Sequence, residues 1–352
     1  MRDPLFFGMT SLIMSLVLGI PAAILAKRLN LMDVPGSAPH KKHASPTPLA
    51  GGILILLVLS LTLLFQPTYS REILFVLLGA LMIFFFGLWD DLKGLTAFPK
   101  LIGQLLASLL LISAGVQVRF ITIIFSEYNL PLELAQGLNI FITLFWLIGI
   151  TNAFNMIDSM DGIVAGIGVI ASMFFMGAAV LSNQETLALW SAIFLGLCIG
   201  LYIWNGWISR FFLGDSGAQV TGFLLASFGI LYNPLNRAPE SSWIVPIMLL
   251  SVPIFDTSLV VLSRLRRGQP IGSGRRDHTY HRLIVMGFRP KLAVFAVHLA
   301  TFAIGLFAFL TLYLPSWLAL TVFFVTIIVG LVVLFWLERQ PTLDEITHVS
   351  NP

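Results

Sequence analysis

PSWLALTVFFVTIIVGLVVLFWL, residues 315–337, carries no charged side chain and has the length that takes an α-helix across a bilayer. Comparable runs recur at roughly 4–26, 49–66, 72–89, 101–118, 134–151, 162–182, 187–204, 217–232, 242–262 and 292–313. The fold class expected is therefore all-α, a polytopic membrane protein of about eleven transmembrane helices. Composition agrees: 57% of the 352 residues are hydrophobic and 11% charged, where a soluble domain has about 25% charged residues. That excludes an ordinary soluble enzyme, and residues 1–352 read as one integral membrane domain. The one cysteine, Cys198, lies inside an apolar run, so disulfides and a Cys-based zinc site are excluded and a packing role remains.

In the first run the basic pair Lys27 and Arg28 follows the apolar stretch instead of preceding it, which reads as an uncleaved first span. With the N-terminus outside, only Arg2, Arg71, Arg119 and Arg237 of the 20 Lys and Arg residues lie outside. The positive-inside rule thus gives an N-out, C-in orientation, with the tail 338–352 in the cytoplasm. The long polar segments 27–48, 90–100, 151–162, 205–217 and 263–291 then share the cytoplasmic face, and any active site is expected there. The net charge of +3 adds little to this.

Polar residues at those segments resist a purely structural explanation. Asp90 and Asp91 end the third span, where the helix dipole disfavours carboxylates unless a cation answers them. Neighbouring helical positions are about 100° apart, so one of the two can face a ligand while the other takes a structural partner. Solvated acids balanced by Lys93 and Lys100 are the plainer alternative. NAFNMIDSMDGI, residues 152–163, sets Asn152, Asn155, Asp158 and Asp161 three apart. That interval drifts by about 60° per step on a straight helix, so the four converge only if the helix breaks, which Gly162 permits. Such oxygen donors suit Mg²⁺, or Mn²⁺, beside substrate phosphates.

FLGDSGA, residues 212–218, places Asp215 between two glycines at a helix start, a setting that favours an anion. Asp256 lies within the ninth span, where a carboxylate is a functional candidate by default and a hydrogen-bonded structural residue otherwise. GSGRRDHTYHRL, residues 272–283, offers His278, His281 and Arg282 for phosphate recognition; zinc would lack a third ligand. One helical turn is expected to put these three on one side, with His281 and Arg282 on the phosphates and Tyr280 turned away to pack or border a sugar. Arg266 and Arg267 read as contacts to anionic lipid, and His298 as a satisfied interior residue. In DVPGSAPHKKHASPTPLAGG, residues 33–52, Lys41 or Lys42 could reach a diphosphate, or serve only the positive-inside bias.

Hard oxygen donors, glycine-lined helix starts and surrounding basic residues on one face describe phosphoryl transfer. The pieces DVPGSAPHKKHASPTPLAGG, GLWDD, NAFNMIDSMDG, FLGDSG, PIFD and the HxxHRL loop resemble the polyprenyl-phosphate N-acetylhexosamine-1-phosphate transferases, glycosyltransferase family 4, from Asp33 to about Phe288. The resemblance implies transfer of a sugar 1-phosphate, most simply N-acetylglucosamine 1-phosphate, from a UDP-sugar to undecaprenyl phosphate with release of UMP, opening a cell-envelope glycan pathway. It implies Asp215 as Mg²⁺ ligand with Asn155, Asp90 as base beside Asp91, and Asp158 and Asp161 on nucleotide or metal. By the same resemblance His278, His281 and Arg282 meet the diphosphate or sugar, and Lys41, Asn152 and Asp256 bind substrate.

A covalent route through an aspartate is the competing mechanism. The related muramoyl-pentapeptide transferases carry three consecutive histidines in this loop, whereas HTYHRL has Tyr280 in the middle, so that activity is the alternative within the family. A secondary transporter for an anionic solute, with Asp256 and Asp161 as proton sites, is the alternative from another class; no internal repeat supports it. A homodimer and bulk membrane lipid are the further partners considered, and no nucleic acid is expected.

Overall fold

A computed structural model describes residues 3–35, 45–65, 70–124, 131–234, 242–272, 275–343 and 345. Each of the expected spans coincides with helix. In chain order these are α1 (Pro4–Arg28), α2 (Gly51–Phe65), α3 (Arg71–Lys93), α4 (Ala97–Ser113), the short α5 (Phe120–Ile124), α6 (Leu132–Ile157), α7 (Ile163–Leu181), α8 (Glu185–Leu201) and α9 (Gly214–Leu231). After these come α10 (Ile244–Leu249), α11 (Ser251–Arg266), α12 (Thr279–Val285), α13 (Pro290–Thr311) and α14 (Ser316–Glu338). Among the described residues seven helices are long and apolar enough to cross a bilayer: α1, α3, α6, α7, α8 with the turn that extends it, α13 and α14. The chain is an all-α polytopic membrane protein. The ninth expected span differs from a single helix, since α10 stops at Leu250 and α11 restarts one residue later.

Helix α9 forms the centre. Every side chain from Ser216 to Phe228 is buried, as expected of a helix that is apolar all round. It packs against α2, α3, α6 and α7. Glycine allows the closest of these approaches: a Cβ on Gly87 of α3 would lie 2.5 Å from the Ser216 Cα, and one on Gly52 of α2 only 2.3 Å from the Ser216 Oγ.

A two-residue ribbon, β1 (Met32–Asp33) with β2 (Thr47–Pro48), pairs Met32 with Pro48 and Asp33 with Thr47 in antiparallel fashion. The Phe212 N–H donates to Pro48 O at 2.9 Å, tying the start of α2 to the segment just before Asp215. Loops that carry the sequence motifs are thereby fastened to the central helix.

Candidate active site

Asp91 shows how α9 is held. Its Oδ1 accepts from the Asp215 N–H at 2.7 Å, and its Oδ2 accepts from the Ser216 N–H at 3.1 Å and the Ser216 hydroxyl at 2.6 Å. The carboxylate thus caps the amides that open α9, from a different helix. Gly214, at φ 73°, turns the chain into that helix so tightly that a Cβ would sit 2.8 Å from Asp91 Oδ2. A catalytic role for Asp91 does not fit, because both oxygens are spent on the cap; it positions Asp215.

Asp90 faces the other way and is buried. Its Oδ1 accepts from the Leu95 N–H at 2.6 Å, and its Oδ2 is ion-paired with the ammonium of Lys100. Lys100 Nζ also lies 2.8 Å from Asp215 Oδ2. One cation from the first turn of α4 therefore bridges carboxylates at the end of α3 and the start of α9. The sequence reading treated Lys100 only as a surface counter-charge; its place between two acids depends on a fold that brings residues 90, 100 and 215 together.

The helix does break at the four-residue motif. α6 ends at Ile157 and α7 begins at Ile163 after Gly162, which adopts φ 80°. Asn205, in the π-turn Tyr202–Trp207 that ends α8, fixes this break: its Oδ1 accepts from the Gly162 N–H at 2.7 Å and its Nδ2 donates to Phe211 O at 3.1 Å. The break separates the motif's four members. Asn155 lies beside Asp215, and its buried Oδ1 has no partner. Burial, then the charges of Asp215, Asp161 and Asp91, holds the Asp158 carboxyl well above the usual range. Asp161 stands at the exposed edge.

Asn152 does not join them as a substrate ligand. Its Nδ2 donates to Gln104 Oε1 at 2.6 Å while Gln104 Nε2 donates to its Oδ1 at 3.2 Å and to Gln219 Oε1 at 3.0 Å. This amide cluster braces α4, α6 and α9 behind the carboxylates. Sequence reasoning missed it because its three members lie on three different helices.

The histidine loop is built differently. Asp256, fully buried in α11, accepts from the Thr279 N–H at 2.7 Å through Oδ1 and lies 2.8 Å from His278 Nδ1 through Oδ2. It caps α12 and orients His278, so its part is positioning and not direct substrate contact. Tyr280 is buried as well; its hydroxyl lies 2.7 Å from Ser159 Oγ and 2.9 Å from His281 Nε2. His278 and Tyr280 stack, with ring centroids 6.2 Å apart and planes 11° apart. Burial, with His278 adding repulsion, pushes His281 down to about 3, so the ring is neutral; its buried Nδ1 has no partner.

Arg282 overturns the expected division of this loop. The side chain is completely buried, with Nη1 donating to Leu337 O at 2.7 Å and Gln340 O at 2.8 Å, and Nη2 to Ser263 Oγ at 2.7 Å. It caps the carbonyl end of α14, where its donors are spent on main-chain and hydroxyl oxygens. Tyr280, expected to turn away, shares a side with His278 and His281. α12 starts only at Thr279, with His278 as its extended cap, so the helical spacing assumed from 278 onward does not apply. Arg266 and Arg267 pair with Glu338, Arg267 at 2.9 Å, instead of lying against lipid. Arg264 grips Asp277 with two bonds of 2.8 and 2.9 Å. His298 is the satisfied interior residue expected, 3.2 Å from Ile163 O. Lys41 and Lys42 lie outside the described residues.

Known proteins match this sequence. The family model for glycosyl transferase family 4 matches residues 73–233, the span that contains Asp90, Lys100, the broken helix and Asp215. The chain is 28% identical over 306 residues, 86% of its length and 84% of the relative's, to the probable undecaprenyl-phosphate N-acetylglucosaminyl 1-phosphate transferase of Bacillus subtilis. It is 28% identical over 326 residues to the decaprenyl-phosphate N-acetylglucosaminephosphotransferase of Mycobacterium tuberculosis, covering 85% of this chain and 80% of that one. With the undecaprenyl-phosphate alpha-N-acetylglucosaminyl 1-phosphate transferase of Escherichia coli K12 it shares 24% over 306 residues, 85% and 82% of the two chains. The chain is thus similar to glycosyl transferase family 4 across the residues that build the carboxylate site.

Magnesium is the ion that the likeness to family 4 implies, and the residues present fit it. Among the described residues no three His, Cys, Asp or Glu side chains are grouped to form a complete protein cage. Mg²⁺ does not need one, since it commonly keeps several waters and binds one or two carboxylates plus substrate phosphates. Asp215 with the unpartnered Asn155 Oδ1 beside it supplies that kind of partial donor set, and a cation, the Lys100 ammonium, already bridges Asp215 and Asp90.

Proposed function

We propose that this protein transfers N-acetylglucosamine 1-phosphate from the UDP-sugar to undecaprenyl phosphate and releases UMP, as a first membrane step of a cell-envelope glycan pathway. The observation that carries the reading is the pair of Asp90 and Asp215 joined by a single lysine, with Asp158 close enough to feel the charge of Asp215, at the end of a helix bundle otherwise suited to lipid. Such a cluster is costly for stability alone and suited to a charged diphosphate.

In this reading an oxygen of the lipid phosphate attacks the β-phosphorus of the nucleotide sugar. A new phosphoanhydride forms as the bond between the α- and β-phosphates breaks, and the electron pair leaves with UMP. Asp90, held by Leu95 N–H and Lys100, orients or deprotonates the acceptor phosphate. Asp215 and Asn155 would hold the divalent cation, which when bound supplies charge neutralisation to the diphosphate. Asp158 and Asp161 face the nucleotide side. The neutral His281 and the His278 held by Asp256 offer hydrogen bonds to sugar or phosphate.

An apolar groove between α2 and α3, lined by Ile55, Leu56, Leu59, Leu77 and Phe84, ends at Gly52 beside Ser216 and would suit a prenyl chain near the site. The site faces the cytoplasm and the N-terminus lies outside, in the orientation the basic residues favour.

Purified protein given UDP-N-acetylglucosamine, undecaprenyl phosphate and Mg²⁺ should form UMP and lipid-linked sugar in equal amounts, and neither without the lipid. Sealed inside-out vesicles should do so with externally added nucleotide sugar, and right-side-out vesicles should not. Absence of lipid-linked product would remove the proposed reaction; turnover by right-side-out vesicles alone would reverse the orientation.

A further inference from the structure

Lys100 stands where a lysine is electrostatically awkward. It occupies the first turn of α4, where the helix dipole presents positive charge, and its side chain is mostly withdrawn from water, with 21% exposure. Two carboxylates offset this: Asp90, whose side chain is 4% exposed, and Asp215, at 37% exposure and nearer the mouth of the site. Without the lysine these acids would face each other across a gap with no compensating cation, and like charges at that range do not both stay ionised.

We propose that Lys100 is a place-holder for the divalent cation: its ammonium neutralises Asp90 and Asp215 in the empty enzyme, then leaves Asp215 for the substrate's phosphates when the cation enters. The inference rests on the proposed function and adds an order to it. An ammonium and a dication compete for the same oxygen of Asp215, and a few ångströms apart they repel strongly in a partly dry site. Lysine carries a point charge on a flexible four-carbon stem, which suits a side chain that must change partners. The diphosphate supplies the new partner. Cation and nucleotide should therefore bind with positive coupling, because each provides what the other's arrival requires.

The test is Mn²⁺ binding by calorimetry to purified full-length protein in nanodiscs, with and without UMP as a phosphate-bearing probe that does not turn over. Wild type should bind Mn²⁺ weakly alone and more tightly with UMP. Lys100→Met should bind Mn²⁺ alone at least about tenfold more tightly than wild type and lose most of the coupling to UMP. Lys100→Arg, which keeps the charge, should stay within about threefold of wild type in Mn²⁺ affinity.

Lys100→Gln replaces Lys100→Met if the latter fails to give a monodisperse protein, with the same expectation. Unchanged or weaker Mn²⁺ binding in the neutral variants would overturn the place-holder role and leave the proposed reaction standing. If neither wild type nor the neutral variants bind Mn²⁺, with or without UMP, the cation reading itself fails and this proposal falls with it.

Discussion

The two halves of the site solve the problem of burying charge in opposite ways. Around Asp215 the acids outnumber the cations: Asp90 and Asp215 share Lys100, the charges of Asp215, Asp161 and Asp91 bear on Asp158, and the Asn155 Oδ1 is buried without a partner. In the histidine loop nearly every charge is answered. Asp256 is used up on His278 and Thr279, Arg264 on Asp277, and Arg282 on carbonyls at the end of α14. An electrostatically unfinished region persists in a folded protein only where something else completes it, whereas a finished one serves to hold shape. The family match falls on the unfinished half, residues 73–233, and the histidine loop lies beyond it. On the proposed function, chemistry belongs to the carboxylate cluster and positioning mainly to the loop. The exception within the cluster is Asp91, a cap among acids.

The sharpest way to break this contrast is to neutralise one acid and one base. Asp215→Asn should lower turnover about a thousandfold, the scale of losing a preorganised charge at a phosphoryl-transfer site, while the thermal midpoint stays level or rises. Turnover within tenfold of wild type would remove Asp215 from the chemistry.

Arg282→Met should act through stability. Leaving several buried acceptors without a donor costs roughly 3 kcal/mol, read as a lower thermal midpoint, with activity per folded molecule falling far less than for Asp215→Asn. A fully stable but inactive Arg282→Met would return this arginine to the phosphates and erase the distinction between the halves.

The smallest effect concerns Asp158, whose carboxyl is held up by burial and neighbouring acids. A group with a raised pKa in the folded state contributes stability fully below its unfolded value, near pH 4, and loses it as pH rises through the folded value. The cation-free protein should therefore lose stability as pH rises above the ordinary carboxylate range. Asp158→Asn should flatten that decline and raise the midpoint at the alkaline end. An unchanged slope in the variant would mean that Asp158 is not among the repelling acids.

Much of the fold was legible from residue type alone, because a helix crossing a bilayer must be continuously apolar, as 315–337 is. The break at Gly162 was legible too, since four oxygen donors three apart make no sense on a straight helix. The break within the ninth span was not: an apolar run carries no mark of where a helix stops and restarts at Leu250. The roles of Asp90 and Asp91 could be separated from one another by their 100° offset, but not assigned, since Asp91's partner is the backbone of residues 215 and 216. Arg282 was misplaced for a related reason. Its acceptors are main-chain carbonyls more than fifty residues away, which no motif encodes, and an arginine beside two histidines looks the same whether it grips a phosphate or a helix end.

The measurement that bears most directly on the central claim follows the β-phosphorus. Wild-type protein supplied with undecaprenyl phosphate, Mg²⁺ and UDP-N-acetylglucosamine labelled with ³²P at the β-phosphate should move the label into the lipid fraction together with the sugar, and Asp215→Asn should not. Sugar on the lipid with the label left behind as UDP would mean that the glycosidic bond breaks instead of the phosphoanhydride, and would contradict the account.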